Sequence, residues 1–341
     1  MRNGRHQKHG GPISRRSFIS LLGLASTAIL AGRRPAHATD ANKVRIGVLK
    51  FGTVSWALDT IKHNGFDRDN GIDLEIAYFA GEDATNVAML AGDIDIIVTD
   101  WLWVSRQRSS GEDVKLVPYS SAVGAIMVKE GSPIRAPADL IGRKIGVAGG
   151  PIDKSWLLLQ AFFQRDHAID LVRQNTIVFG APPLLSEKAM QGELDAVLNF
   201  WHFCARLEAH GFRRLIGAND AALALGAKGP VPALGYVFHD AWARDNPAMA
   251  QGFVRAAREA SKVLATSDAE WLRLAPLVQA EGAELEKLRD RYREGILTRP
   301  VADQEADAAR LYRVLAQIGG EKLVGSAPEM APGTFWEGLT Q

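Results

Sequence analysis

The chain has 341 residues, with 47% hydrophobic and 23% charged side chains and 40 Lys and Arg against 39 Asp and Glu. This is the make-up of a globular protein of one large or two medium domains. It excludes extensive disorder beyond the N-terminus, and a single cysteine, Cys204, excludes an internal disulfide.

Residues 1–38 read as a targeting segment and not as part of the fold. Residues 1–16 are basic and polar, and Ser14-Arg15-Arg16-Ser17-Phe18-Ile19 leads into an apolar run from Leu21 to Ala31. That run is too short to span a hydrocarbon layer of ~30 Å. Ala36-His37-Ala38 supplies the small residues of a cleavage site. The paired arginines before the run, with Arg33 and Arg34 after it, resemble a twin-arginine export signal. Cleavage after Ala38 removes seven basic and no acidic residues, leaving 33 basic against 39 acidic and a net charge of −6. An acidic mature chain argues against nucleic acid or anionic lipid as a partner. No cysteine stands at the cleavage site, so the expectation is a soluble periplasmic protein without a lipid anchor.

Along the mature chain, Val44–Lys50 reads as a buried strand, followed by a loop through Trp56 and a helix to Ile61. Leu74–Phe79 is a second strand, and Glu82-Asp83-Ala84-Thr85 opens a helix with acidic residues in its first turn. Ile94–Thr99 is an apolar run bounded by charge, as in a parallel strand covered on both faces. Two extended pieces follow, Lys115–Tyr119 and Ala125–Lys129, and then the plan of strand, helix, strand, helix, strand begins again. Pro230-Val231-Pro232 and Leu234–Phe238 read as a return crossing, and from Asn246 to Ile318 the apolar spacing is helical, giving helices expected to cover the first lobe.

The repetition is literal. Gly92-Asp93-Ile94-Asp95-Ile96-Ile97-Val98-Thr99-Asp100-Trp101 is echoed by Gly192-Glu193-Leu194-Asp195-Ala196-Val197-Leu198-Asn199-Phe200-Trp201. Arg45-Ile46-Gly47-Val48 is echoed by Lys144-Ile145-Gly146-Val147, and Trp56 by Trp156. A period near a hundred residues is too long for a solenoid unit and fits two α/β lobes of one architecture. Two crossings between them would make a two-stranded hinge. The first lobe would then be discontinuous, 43–123 with 236–341, and the second would be 124–235.

Five of the eight tryptophans (Trp56, Trp101, Trp103, Trp156 and Trp201) fall just after predicted strands, at the edge where open α/β sheets bind ligands. Isolated rings at such places commonly fill gaps between sheet and helix. Five at matching positions favour a cleft lining, whereas Trp242, Trp271 and Trp336 sit in helical surroundings and read as packing. The polar neighbours are Thr53, Ser55, Glu82, Asp83, Asp100, Asp153, Lys154, Ser155 and Asn199. Thr53, Ser55, Asp153 and Ser155 precede helices, so capping is their default role, compatible with ligand contact where a helix start points into a cleft. Helix starts and Lys154 suit an anion, while carboxylates among tryptophans suit a cationic head, each cation–π contact contributing ~0.5–2 kcal/mol. A zwitterion or nitrogen-containing solute satisfies both.

Catalytic signatures are weak. The five histidines after the leader show no HExxH or paired metal spacing, and no Gly-x-Ser-x-Gly elbow or phosphate loop is present. Gly149-Gly150-Pro151 reads as a tight turn, and His202 near Cys204 reads as packing. No cofactor or metal is expected.

Taken together, Ala136-Pro137-Ala138-Asp139-Leu140-Ile141-Gly142-Arg143-Lys144-Ile145-Gly146-Val147 and the two Gly-acid-apolar-Asp strands resemble the NMT1/THI5-like, nitrate/sulfonate/taurine-type solute-binding proteins of ABC importers. The resemblance covers essentially 43–340. It implies a type II periplasmic-binding-protein fold, with each lobe a mostly parallel sheet flanked by helices. It also implies a monomeric receptor that closes on a small solute and meets a membrane permease and its ATPase. One rival is an enzyme on the same fold: thiamine-pyrimidine synthesis proteins look similar but carry a cysteine-rich motif absent here, and hydroxymethylbilane-type synthases need an anchoring cysteine. The other rival is a periplasmic sensory receptor subunit.

Overall fold

The two echoed motifs touch each other inside each half of the molecule, and that contact explains why both recur. The computed structural model describes residues 42–50 and 52–338; the predicted signal segment lies outside the described residues. In the first half, β1 (Lys43–Leu49), α1 (Val54–Asn64), α2 (Phe66–Asp69), β2 (Asp73–Phe79), α3 (Glu82–Leu90), β3 (Ile96–Thr99), α4 (Trp101–Ser109) and β4 (Val114–Ser120) follow in order. The Asp95 carboxylate accepts the Arg45 backbone N–H at 2.8 Å and pairs with the Arg45 guanidinium at 2.6 Å. Ile94 packs where a side chain on Gly47 would stand. The Gly-acid-apolar-Asp run therefore registers β3 against β1.

The second half repeats the device. It contains β5 (Ala125–Lys129), β6 (Lys144–Ala148), α5 (Lys154–His167), β7 (Thr176–Gly180), α6 (Pro182–Met190), β8 (Ala196–Asn199), α7 (Trp201–Ala209), β9 (Phe212–Gly217) and α8 (Ala218–Ala224). Asp195 accepts the Lys144 backbone N–H at 2.8 Å, and Leu194 fills the space over Gly146.

The chain then adds β10 (Leu234–His239), α9 (Asp240–Asp245), α10 (Pro247–Thr266), α11 (Asp268–Val278), α12 (Gly282–Glu294), α13 (Val301–Gly319) and α14 (Glu321–Val324). The strands form two five-stranded sheets of matching order, β2-β1-β3-β10-β4 and β7-β6-β8-β5-β9. In each, four strands run in one direction, and β10 or β5, fourth in the order, runs antiparallel to both neighbours. Central strands covered on both faces bury nearly continuous apolar runs, as Ala125–Val128 and Ile145–Ala148 do. The result is a two-lobed α/β fold.

Each lobe donates its antiparallel strand through a crossing: β4 leads into β5 through 121–124, and α8 into β10 through 225–233. The crossings are bonded together, with Ala233 N–H donating to Ser120 O at 2.7 Å and Asn219 Nδ2 to Ser121 O at 3.1 Å. A third segment joins them. The Gly295 carbonyl, after α12, accepts Ser121 N–H at 2.8 Å, and Ile296 bridges Ser120. The C-terminal helices do not all cover the first sheet as their spacing suggests. Helix α10 packs on α1 and α2, and α14 on α4, but α12 lies along α7 and α13 along α5. A helical apolar stripe states that a face is buried and leaves its partner open.

Candidate functional site

At the ends of the parallel strands, helix starts from the two lobes meet in two places. At the first, Trp56 near the start of α1 meets Trp201 at the start of α7. Their centroids are 5.8 Å apart and the rings lie edge to face at 83°, the geometry in which the positive edge of one ring faces the negative face of the other. Trp271 of α11 stands edge to face with Trp56 at 5.8 Å, and Tyr292 of α12 lies 6.2 Å from Trp56 and 6.1 Å from Trp201. The Tyr292 and Tyr119 hydroxyls share a 2.9 Å hydrogen bond. Burial pushes the Tyr292 phenol up to about 12, partly offset by that bond. Helix α1 has no side-chain cap: Thr53 makes none, and the Ser55 hydroxyl donates back to Gly52 O at 2.7 Å.

At the second meeting, Asp100 caps α4 and Lys154 opens α5. Asp100 Oδ1 accepts Trp103 N–H at 2.8 Å, and Oδ2 faces Lys154 Nζ at 2.7 Å across the lobes. Lys154 also donates to Ala233 O, on the second crossing, at 3.4 Å. Burial pushes the Asp100 carboxyl up, but the Lys154 charge and hydrogen bond and the Trp103 N–H outweigh it, so the carboxyl lies below its usual range. Asp153 caps α5 through Trp156 N–H at 3.0 Å. Gly149, with φ +82°, leaves room for it where a side chain would collide with the carboxylate. Burial holds Asp153 above the usual carboxylate range. Glu82, at the start of α3, is raised by burial and by the Asp100 charge, with Lys154 opposing. It is solvent-exposed as a residue, as is Asp83 beside it. Glu82 therefore stands at the rim of this cluster.

Beside this pair lies a small cavity of about 50 Å³, bordered by Trp101, Lys154, Ser155, Asn219, Pro232 and Leu311. Trp101 is fixed there by its ring N–H, which donates to Pro232 O at 2.9 Å.

The predicted site residues thus divide. Thr53, Ser55, Trp56 and Trp201 gather at one meeting of the lobes; Asp100, Trp101, Asp153, Lys154 and Ser155 gather at the other, with Glu82 near them. Trp103 is half-buried within the main core. Trp156 is 1% exposed, inside the second lobe. Asn199 is spent on structure: its amide donates to Pro182 O at 2.9 Å and to the Ser186 hydroxyl at 3.0 Å, and its carbonyl accepts Phe200 N–H. Sequence reasoning missed Tyr119 and Tyr292; Trp271, expected to serve packing, is 1% exposed in the core beside them. The spacing of Leu285, Leu288 and Tyr292 marks a buried stripe but carries no sign that it reaches another lobe.

His202 and Cys204 do not form a nucleophile pair. The Cys204 thiol is fully buried, bonded to Asn199 O at 3.1 Å, and pushed by burial up to about 11. Burial lowers the His202 imidazole to about 4, with the Arg206 charge adding to it. Among the described residues no three His, Cys, Asp or Glu side chains gather as metal ligands.

No curated protein matches this sequence significantly. The NMT1/THI5 like family model matches residues 60–270, well over half of the chain. The chain belongs to this family. The NMT1/THI5-like assignment agrees with the resemblance carried by the Asp139–Val147 stretch and the repeated strands. Solved structures share the fold. The periplasmic aliphatic sulphonate binding protein SsuA from Escherichia coli is 20% identical with a TM-score of 0.67, over 88% of this chain and 95% of that one. The alkanesulfonate-binding protein SsuA from Xanthomonas axonopodis pv. citri, bound to MOPS, is 17% identical with a TM-score of 0.63, over 86% and 98%. The desulfurization enzyme DSZB is 17% identical with a TM-score of 0.57, over 82% and 92%. The fold thus serves binding and catalysis alike, and function must be argued from the site.

Proposed function

We propose that this protein is the solute-capturing component of an ABC importer, working in the periplasm after removal of the leader. It grips a small organic solute between two lobes, 43–123 with 236–341 and 124–235, by hinge closure. The observation that carries this reading is the double meeting of helix starts across the lobes, Trp56 with Trp201 and Asp100 with Lys154. A ligand drives closure only when it binds the closed form better than the open one, and groups from both lobes at one place supply that difference.

The two meetings differ in charge. Asp100 and Asp153 each already accept one N–H at the starts of α4 and α5, whereas no side chain caps α1. An acidic group of the solute is best received at α1. A basic group is best received near Glu82, whose carboxylate has no ion-pair partner among the described residues. A sulfonate- or taurine-like solute or a nitrogen-containing zwitterion fits this division, and the sulfonate-binding relatives support the acidic half. Closed protein would then be read by a permease with its ATPase. The buried, proton-bearing Cys204 supports binding over catalysis.

The test is calorimetry with taurine, alkanesulfonates, primary amines and amino acids on the wild type and on Glu82→Gln. Micromolar binding of a zwitterion, weakened at least tenfold in the variant, supports the reading; heat from none of the panel counts against it.

A further inference from the structure

Helix α12 follows first-lobe helices in sequence yet is fastened to the second lobe. Arg291 holds Glu208 of α7 through two parallel hydrogen bonds, Nε to Oε2 at 2.8 Å and Nη2 to Oε1 at 2.9 Å. Arg214 of β9 donates to the same carboxylate at 2.7 Å. Arg206 of α7 pairs with Glu284 and donates to the Val278 and Gln279 carbonyls, at 2.8 and 3.2 Å, where α11 turns into α12. The Glu208 side chain is only 7% exposed.

On the other side Arg293 Nε donates to Leu264 O of α10 at 3.1 Å, but the ion pairs lie in solvent. Arg293 and Arg289 reach Asp268, at 2.8 and 3.4 Å, and that carboxylate is 65% exposed. Arg273 of α11 reaches Asp59 of α1 at 2.6 Å, and Asp59 is 43% exposed. Solvent screens exposed pairs until they contribute little, whereas separating a buried bidentate pair strands a charge.

We propose that α12 moves as part of the second lobe, so that opening separates Trp56 and Tyr119 from Trp201 and Tyr292. This rests on the solute-capture reading above. Tyr292 then belongs to the closing wall: its hydroxyl bond to Tyr119 forms on closure, and its ring meets the solute alongside Trp201. The end of α12 is suited to this, because Gly295 is bonded to the β4–β5 crossing itself, where displacement between the lobes is smallest.

Pairwise spin labels test the assignment at exposed positions: Asp69→Cys on the first lobe, Arg173→Cys on the second and Glu286→Cys on α12. Cys204 is fully buried and takes no label. In solute-free protein the 69–173 pair is expected to show both a closed and an open distance, and the 69–286 pair to split in parallel. The 173–286 pair should stay single and narrow. A split 173–286 pair with a narrow 69–286 pair overturns the assignment while leaving hinge closure intact. Three narrow distributions, unchanged by every member of the calorimetry panel, overturn hinge closure and this assignment with it.

Discussion

Lys154 Nζ stands 2.7 Å from Asp100 Oδ2, and this pair joins α5 to α4 just as the Trp56–Trp201 contact joins α1 to α7. In the repeat, α1 corresponds to α5 and α4 to α7, so one packing relationship is made twice with different chemistry. The aromatic version is apolar and buried; the ionic version lies beside the cavity and the second crossing.

Asp100→Asn keeps the cap on α4 and removes the charge. Both side chains of the pair are about a quarter exposed, so the loss should be about 1 kcal/mol, roughly fivefold in the ratio of closed to open protein. Interlobe distance distributions by double electron–electron resonance check this. An unchanged ratio would remove the pair from the forces that hold the cleft shut.

Trp56→Ala opens a hole among Trp201, Trp271 and Tyr292 and should cost about 3–5 kcal/mol of folding stability in urea. Trp56→Phe retains an aromatic partner and should cost only about 1–2 kcal/mol. Equal losses for the two would show that the ring contacts contribute little beyond volume.

His202 sets a pH dependence. Its imidazole sits at about 4 in the folded protein against ~6.5 when unfolded, so between these values the unfolded chain binds the extra proton. The stabilising contribution is complete above pH 6.5 and declines as pH falls toward 4, by up to about 3 kcal/mol. Wild type minus His202→Gln, measured by urea unfolding across that window, should show the decline; a flat difference contradicts it.

Cys204, buried and pushed up to about 11, should react with an aromatic disulfide reagent no faster than the protein unfolds. Rapid labelling of native protein at pH 7 would revive a nucleophilic role.

Much of this fold was legible because its repeats are chemical contacts. Asp95 and Asp195 each bond the backbone of the neighbouring strand, and Ile94 and Leu194 each need a glycine opposite, so the motifs recur as matched pairs. Asp100 at a strand end was legible for the same reason: a carboxylate there must find partners, and it found an N–H and an ammonium. The partners of Trp56 were hidden. Helical spacing marks Trp271 and Tyr292 as buried, but which lobe they cover depends on the path of the chain after β10. The position of Asn199 at a strand end suggests a cleft residue, but its amide satisfies the start of α6.

Native mass spectrometry of the protein purified from its own cells without denaturation tests most directly whether the two lobes hold a small molecule. Wild-type protein should carry a discrete adduct of small-organic mass, lost on denaturation and depleted in Glu82→Gln. A bare polypeptide mass in every preparation, still bare after incubation with sulfonates, amines and zwitterions, would contradict solute capture.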